Sequence, residues 1–166
     1  MLEIKMISLI GIVVITSYIG FFKANTFVER EKEINLILTS LNFMKNKIEY
    51  TNMYLRNIFL EISNEIYKDK ENIFKNTIEA KLSLRNGFKE SVKLNNKLND
   101  GDKNILLDLS INLGNVDKKI QISEIKIAYE FLLDRLEDAR KEKNRNTKMY
   151  KTLGVVSGLT ISIILI

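Results

Sequence analysis

The sequence predicts an all-α protein: a cytosolic bundle of about six helices, flanked by transmembrane helices at its N- and C-termini. Three observations lead to this prediction. The 166 residues include no proline, which favours long uninterrupted helices. Apolar residues recur every three or four positions through the middle of the chain, and no segment alternates with a period of two. Both ends carry apolar runs without a charged side chain.

The first apolar run extends from Met6 to Phe22, seventeen residues without a charge. That is the short end of the length that spans a membrane. Only Lys5, opposed by Glu3, precedes the run, and no A-x-A-like cleavage site follows it. We therefore expect an uncleaved transmembrane helix within residues 1–26.

The last fifty residues predict one continuous helix in three parts, starting at Asp117. Its first part, residues 117–139, is amphipathic. A basic collar follows, in which six basic residues stand against Glu142 alone. Residues 152–166 carry no charge, so we expect a second transmembrane helix over 148–166 and a bundle over 27–147 that includes the collar from residue 140. The collar residues are Arg140, Lys141, Lys143, Arg145, Lys148 and Lys151.

The distribution of charge indicates contact with a membrane surface. The formal net charge is +5, yet residues 23–139 hold 19 basic and 19 acidic side chains. The excess lies in the collar, beside the apolar end, so we expect membrane lipid and not nucleic acid as the partner. The collar and Lys23, Arg30 and Lys32 place the bundle in the cytoplasm and both termini outside, because basic loops stay on the cytoplasmic side.

The segment after the first apolar run predicts a helix over 27–50 with a heptad seam of Ile34, Ile37, Leu41, Met44 and Ile48. Such a seam fits one face of an intramolecular bundle or a dimeric coiled coil. Two heptads are few for a coiled coil, and the later amphipathic segments need partners, so the bundle is favoured.

The following segments predict short helices and turns. We expect a helix over 52–67, a turn at 68–70, and a helix from residue 73 that closes with a C-cap near Asn86-Gly87. A weaker helix over 88–98 comes next. Residues 99–102 read as a turn in which Asp102 caps a helix that ends with Gly114 at its C′ position.

Little in the sequence could support catalysis. There is no cysteine and no histidine, which removes the commonest nucleophiles, bases and metal ligands. There is also no glycine-rich phosphate loop. We expect no enzyme, no metal and no cofactor. The clustered carboxylates are expected on solvated helix faces: Glu29, Glu31, Glu33, Asp134, Glu137 and Asp138.

Small residues form a stripe on each apolar run. Gly154, Gly158 and Ser162 share one spacing in the second run, and Thr16 and Gly20 form a shorter stripe in the first. Small side chains permit close helix approach in lipid. We expect these residues to pack a membrane helix against a partner, with the other helix of the same chain favoured over a helix of another protein.

Two motifs give the chain a family resemblance. The stretch LGNVDKKIQ carries Leu113, Gly114, Asp117 and Gln121, and a basic helix ends with KMYKTLG, which contains Tyr150 and Leu153. Together with the apolar runs, they make the whole chain resemble stage III sporulation protein AB of endospore-forming bacteria. The chain departs from that pattern at 52–55, where the family has a threonine–proline turn, and at Phe88, where it has tryptophan.

The resemblance implies a role in the complex that links mother cell and forespore during engulfment. It implies a bundle similar to the cytoplasmic domains of type II secretion and type IV pilus platform proteins. Its implied partners are a secretion-type ATPase on the mother-cell side and other channel proteins. We therefore expect a non-enzymatic membrane platform. The alternative is a membrane-anchored coiled-coil scaffold that has no ATPase partner. A hole-forming protein is disfavoured, because such a function does not need the large neutral bundle. Self-association is compatible with the sequence.

Overall fold

The computed structural model describes residues 2–51 and 53–165, with the side chains of residues 2–5 left aside. The predicted departure at Asn52 lies outside the described residues, as do the two terminal residues. The described residues form six α-helices, one π-helical turn and no strand, so the all-α prediction is confirmed. The elements are α1 (Leu2–Tyr50), α2 (Leu55–Glu61), the π turn (Ile62–Ile66), α3 (Ile73–Glu79), α4 (Leu84–Leu94), α5 (Asp100–Ser110) and α6 (Lys118–Leu165).

The chain divides into two compact units. One unit, which we call the helix pair, consists of Met1–Glu31 and Asp138–Ile166. The other, which we call the bundle, is Lys32–Glu137. Both long helices thus contribute to each unit. The predicted boundaries at residues 26 and 147 refer to the membrane border and stay predictions.

The core of the bundle combines the heptad seam of α1 with an aromatic cluster. Ile34, Ile37, Leu41 and Met44 of the seam are fully buried within this single chain. The rings of Phe59, Phe74 and Phe88 are also fully buried. The ring centroid of Phe59 lies 5.0 Å from that of Phe74 and 5.8 Å from that of Phe88. Burial of this apolar surface is the main source of stability for the bundle.

The boundary between α3 and α4 differs from the prediction. A helix C-cap near Asn86-Gly87 is wrong, because α3 ends at Glu79 and both residues lie within α4. The Ser83 side chain accepts a hydrogen bond from the Asn86 N–H and caps α4. Gly87 is buried, and a Cβ there would lie 2.8 Å from the Thr77 carbonyl oxygen. This glycine therefore serves a close approach of α3 and α4.

The start of α5 also differs from the prediction. Asn99, and not Asp102, is the N-cap, and the predicted turn forms the first turn of the helix. The Asn99 side chain accepts from the Asp102 N–H at 2.9 Å, while the Asp102 carboxylate accepts from the Asn99 N–H at 3.2 Å. This reciprocal capping box lets α5 begin at Asp100. Because α5 ends at Ser110, Gly114 lies in the turn after the helix and not at C′.

One predicted surface carboxylate is buried. Glu33 is only 2% exposed, because the segment that follows α4 covers it. Its carboxylate accepts from Asn95 Nδ2 at 2.9 Å and from Lys97 Nζ at 3.3 Å. Burial raises the pKa of the Tyr67 phenol far above its ordinary value, and the negative charge of Glu33 raises it further. A solvated position is thus wrong for Glu33.

The aromatic cluster provides a test of the bundle. Residues 27–147 alone should fold as a helical domain without metal or nucleotide, because the core lies within them. Phe59→Ala should lower the free energy of unfolding by about 3–5 kcal/mol, since it removes a fully buried ring. Leu94→Ala, at a side chain that is 80% exposed, should change it by less than about 0.5 kcal/mol. Urea unfolding followed by circular dichroism measures both; equal effects, or a fragment without helical signal, would contradict this core.

Candidate functional site

The predicted stripes of small residues face each other within the helix pair. A Cβ at Gly20 would lie 2.8 Å from the Gly154 Cα and 2.6 Å from the Tyr150 carbonyl oxygen. A Cβ at Gly158 would lie 2.9 Å from the Val13 Cα and would clash with the Thr16 hydroxyl. The structure therefore brings α1 and α6 into backbone contact, which only glycine permits at these positions.

Polar groups on the stripes are satisfied inside the helix pair. The Ser162 hydroxyl donates to the Leu9 carbonyl of the other helix at 3.2 Å. The Thr16 hydroxyl donates to the Ile12 carbonyl one turn earlier at 3.0 Å. Both groups thus avoid the cost of an unpaired hydroxyl in an apolar environment.

The outer surface of the helix pair is strongly apolar. Large side chains are exposed along both helices, and α1 and α6 each contain a stretch long and apolar enough to cross a membrane. Contiguous apolar surface of this kind is unfavourable in water but suits lipid. The arrangement, small residues inside and large apolar residues outside, indicates membrane association. The exposed residues include Ile10, Val14, Tyr18, Phe22, Ile163 and Ile164.

The basic collar is partly neutralised by the facing segment of α1. Glu31 accepts from Lys143 Nζ at 2.7 Å and lies 3.4 Å from Arg140 Nε. Arg30 in turn donates to Glu142 at 2.5 Å. The predicted solvated position is therefore wrong for Glu31. The sequence pattern did not predict its ion pairs with the collar.

The remaining collar residues lie in varied surroundings. The Lys151 ammonium lies 5.4 Å from the Phe21 ring centroid, and Arg145 donates to the neighbouring Asn146 side chain. Lys141 and Lys148 are exposed. The collar thus combines charge that is paired within the chain with exposed charge, at Lys148, that anionic groups can reach.

The first family motif closes the turn between α5 and α6. Gly114 has φ +76°, the left-handed region that glycine adopts without strain. Its N–H donates to the Gln121 side-chain oxygen at 2.8 Å, and the Gln121 N–H donates to the Asp117 carbonyl at 2.9 Å. Leu113 and Gln121 are buried. These contacts give the motif a structural role.

The second motif lies in the helix pair. The Tyr150 ring stacks on Phe27 with centroids 5.7 Å apart. Leu153 is exposed on the apolar outer surface. The two motifs therefore belong to different units, and no single site collects them.

An apolar groove between α5 and α6 was not foreseen from the sequence. It encloses about 250 Å³ and is lined by apolar residues that include Ile105, Leu109, Ile127 and Phe131. Ile127 and Phe131 are more than half exposed. Ile120, Ile127 and Phe131 are separated by seven and four residues, so they form a second apolar stripe on α6. This stripe is the sequence signal that could have predicted an exposed apolar face.

Two carboxylates rim this groove, Asp108 and Glu124. Glu124 Oε1 accepts from Asn112 Nδ2 at 2.5 Å. Among the described residues, Glu124 Oε2 has no hydrogen-bond partner. We call the apolar lining and its two carboxylates the acidic-rimmed groove. An apolar anchor beside a basic group would complement it.

The acidic-rimmed groove and the helix pair differ in the charge that accompanies their apolar surface. Within residues 2–51 and 53–165, no three acidic side chains come together as a metal site would require. The acidic-rimmed groove offers apolar surface and negative charge, and the helix pair offers apolar surface and positive charge.

Comparisons with known proteins point to one family. The family described as stage III sporulation protein AB matches residues 5–166. The stage III sporulation protein AB of Bacillus subtilis (strain 168) is 25% identical over 170 residues, which cover 98% of this chain and 99% of that protein. A solved structure of stage III sporulation protein AB has a TM-score of 0.59 at 20% identity, and the match covers 70% of this chain and 98% of that chain. The structural likeness supports the fold.

The glycine contacts predict a position-specific effect in the helix pair. Gly20→Ala should destabilise the protein by about 1–3 kcal/mol, because its Cβ would overlap the backbone of α6. Gly11→Ala should be neutral or slightly stabilising, since a Cβ there meets nothing within 4 Å and alanine favours a helix. Thermal unfolding of the full chain in detergent measures the difference. Equal melting temperatures for the two variants would show that the small residues are not needed for contact between α1 and α6.

Proposed function

The chain belongs to the stage III sporulation protein AB family, and on that premise we propose that it is a non-enzymatic membrane platform of the channel complex between mother cell and forespore. In this proposal the helix pair anchors the protein in the mother-cell membrane. The bundle docks a cytosolic secretion-type ATPase, the partner that the family resemblance implies. The names of the relatives describe sporulation proteins only. The platform role and the ATPase partner are our proposal.

The membrane part of the proposal is supported by apolar surface and charge. The two apolar helices supply two spans, with the small residues at their contact. The collar supplies positive charge at one end of the second apolar run, where anionic headgroups of the cytoplasmic leaflet would lie. Both termini would then be outside the cytoplasm and the bundle inside.

The acidic-rimmed groove carries the docking part of the proposal. Aromatic side chains such as Phe131 are frequent anchors in protein interfaces, and large exposed apolar residues mark binding surfaces. Asp108 and Glu124 select against an acidic partner and favour one with a lysine or arginine beside its apolar anchor. We therefore assign the ATPase a contact surface that pairs apolar and basic residues.

The burial of the α1 seam favours this platform over a coiled-coil scaffold. A parallel two-chain coiled coil through residues 27–50 would use Ile34, Ile37, Leu41 and Met44 to contact the second chain. In the structure those side chains are fully buried in the chain's own core. Pairing through the seam would require the bundle to open, at the cost of its core contacts.

The docking proposal is tested with purified full-length protein in detergent and the purified secretion-type ATPase of the same sporulation complex. Phe131→Ser should weaken binding at least about tenfold, because it removes the exposed apolar anchor. Asp108→Lys should slow association most strongly at low salt, because it reverses charge at the rim. Isothermal titration and surface plasmon resonance provide the two readouts.

Leu94→Ser is the matched control, since Leu94 is an exposed apolar residue outside the groove. It should leave binding within about twofold. If wild type binds and Phe131→Ser binds equally well, the groove is not the docking face. If wild type fails to bind, ATPase docking itself is wrong.

Topology forms a separate prediction. A cysteine at Asn104, an exposed position on α5, should resist a membrane-impermeant thiol reagent in intact cells, because the bundle is cytoplasmic. A cysteine appended after Ile166 should react. The chain has no native cysteine, so labelling reports only the introduced thiol. The reverse pattern of labelling would overturn the orientation, which rests on the distribution of basic residues.

A further inference from the structure

A groove beside the basic collar has the composition of a headgroup site. It lies within the helix pair and encloses about 520 Å³. Val28 of α1 lines it, together with six residues of α6: Lys143, Asn144, Thr147, Lys148, Lys151 and Thr152. Lys143, Thr147 and Lys151 follow one another at intervals of four along α6, so they share one face of the helix. The uncharged apolar run begins directly after Lys151. The groove therefore lies at the border between the charged and the apolar parts of α6.

The lysines of the groove are not equivalent. Lys143 is neutralised by Glu31, whose carboxylate lies 2.7 Å from its ammonium. Among the described residues, neither Lys148 nor Lys151 has a carboxylate partner. The aromatic contact of Lys151 with Phe21 leaves its N–H groups free to donate. The groove thus presents two uncompensated positive charges.

Thr147 adds a polar group that the chain leaves unsatisfied. Helical threonines commonly donate to the carbonyl four residues earlier, as Thr39 and Thr160 do here. The Thr147 hydroxyl oxygen is buried and has no hydrogen-bond partner among the described residues. Thr147 lines the groove, so a rotation of its side chain would bring the hydroxyl to a ligand oxygen there.

We propose that this groove binds the phosphate group of one anionic phospholipid, as a discrete site and not as part of a diffuse charged surface. Phosphate oxygens would accept hydrogen bonds from Lys148, Lys151 and Thr147, and Val28 would contact the apolar part of the lipid. The lipid would fix the depth at which the second apolar run enters the membrane. This assignment does not depend on the ATPase.

The test measures phosphatidylglycerol retained by the full-length protein in a mild non-ionic detergent, by native mass spectrometry. Wild type should retain one phosphatidylglycerol and should not retain phosphatidylcholine at the same concentration. Thr147→Val removes a hydroxyl without changing charge, and should weaken retention about fivefold or more. Lys148→Gln should weaken it about tenfold. Circular dichroism checks that each variant is folded.

Arg145→Gln is the matched control, because it removes one collar charge outside the groove. It should leave retention within about twofold. If Thr147→Val has no effect and Lys148→Gln equals Arg145→Gln, the lipid is held only by the diffuse charge of the collar and the site is wrong. If inorganic phosphate displaces phosphatidylglycerol at equal concentration, the site takes free phosphate and the lipid assignment is overturned.

Discussion

The backbone contact between α1 and α6 at Gly20 and Gly154 is the constraint on which the helix pair depends. In a membrane, the apolar surface of a helix is covered equally well by lipid and by another helix. The hydrophobic effect therefore adds little to the association of two helices there. Close packing and hydrogen bonds must hold two such helices together. The glycines permit that packing, and the Ser162 hydroxyl adds a hydrogen bond between the helices. The same contact brings residues from the two ends of the sequence together, so that Glu31 and Glu142 can pair with basic side chains across the helix pair.

The bundle and the helix pair carry their polar groups in different ways. In the bundle, buried polar groups such as Glu33 and Asp102 are held by partners from neighbouring elements. At the collar, Lys148 has no carboxylate partner and the buried Thr147 hydroxyl has no hydrogen-bond partner among the described residues. The acidic-rimmed groove likewise leaves apolar and negative groups unpaired. The protein therefore presents two surfaces of opposite charge, which our proposals assign to lipid phosphate and to a basic protein partner.

Much of the fold could be predicted because helix periodicity and the absence of proline act locally. The seam of α1, the apolar runs and the final helix follow directly from such patterns. The errors occurred where tertiary contact overrides a local signal. Gly87 has the local character of a helix end, but it is needed for the close approach of α4 to Thr77. Glu33 was expected in solvent because its neighbours are charged, whereas a segment more than sixty residues later covers it. The groove depends on where α5 lies against α6, which periodicity in one helix does not specify.

The arrangement of the two apolar helices can be measured directly through an engineered disulfide. The Ser162 hydroxyl donates to the Leu9 carbonyl at 3.2 Å, so these two positions face each other across the helix contact, and neither is one of its glycines. In a chain without native cysteine, the pair Leu9→Cys and Ser162→Cys should oxidise within one molecule in native membranes, and non-reducing gels should show a monomer. Ile7→Cys with Ser162→Cys should not oxidise, because Ile7 is 70% exposed on the outer surface. Absence of a disulfide in the first pair, or disulfide-linked dimers in its place, would contradict the helix pair and the membrane anchor built on it.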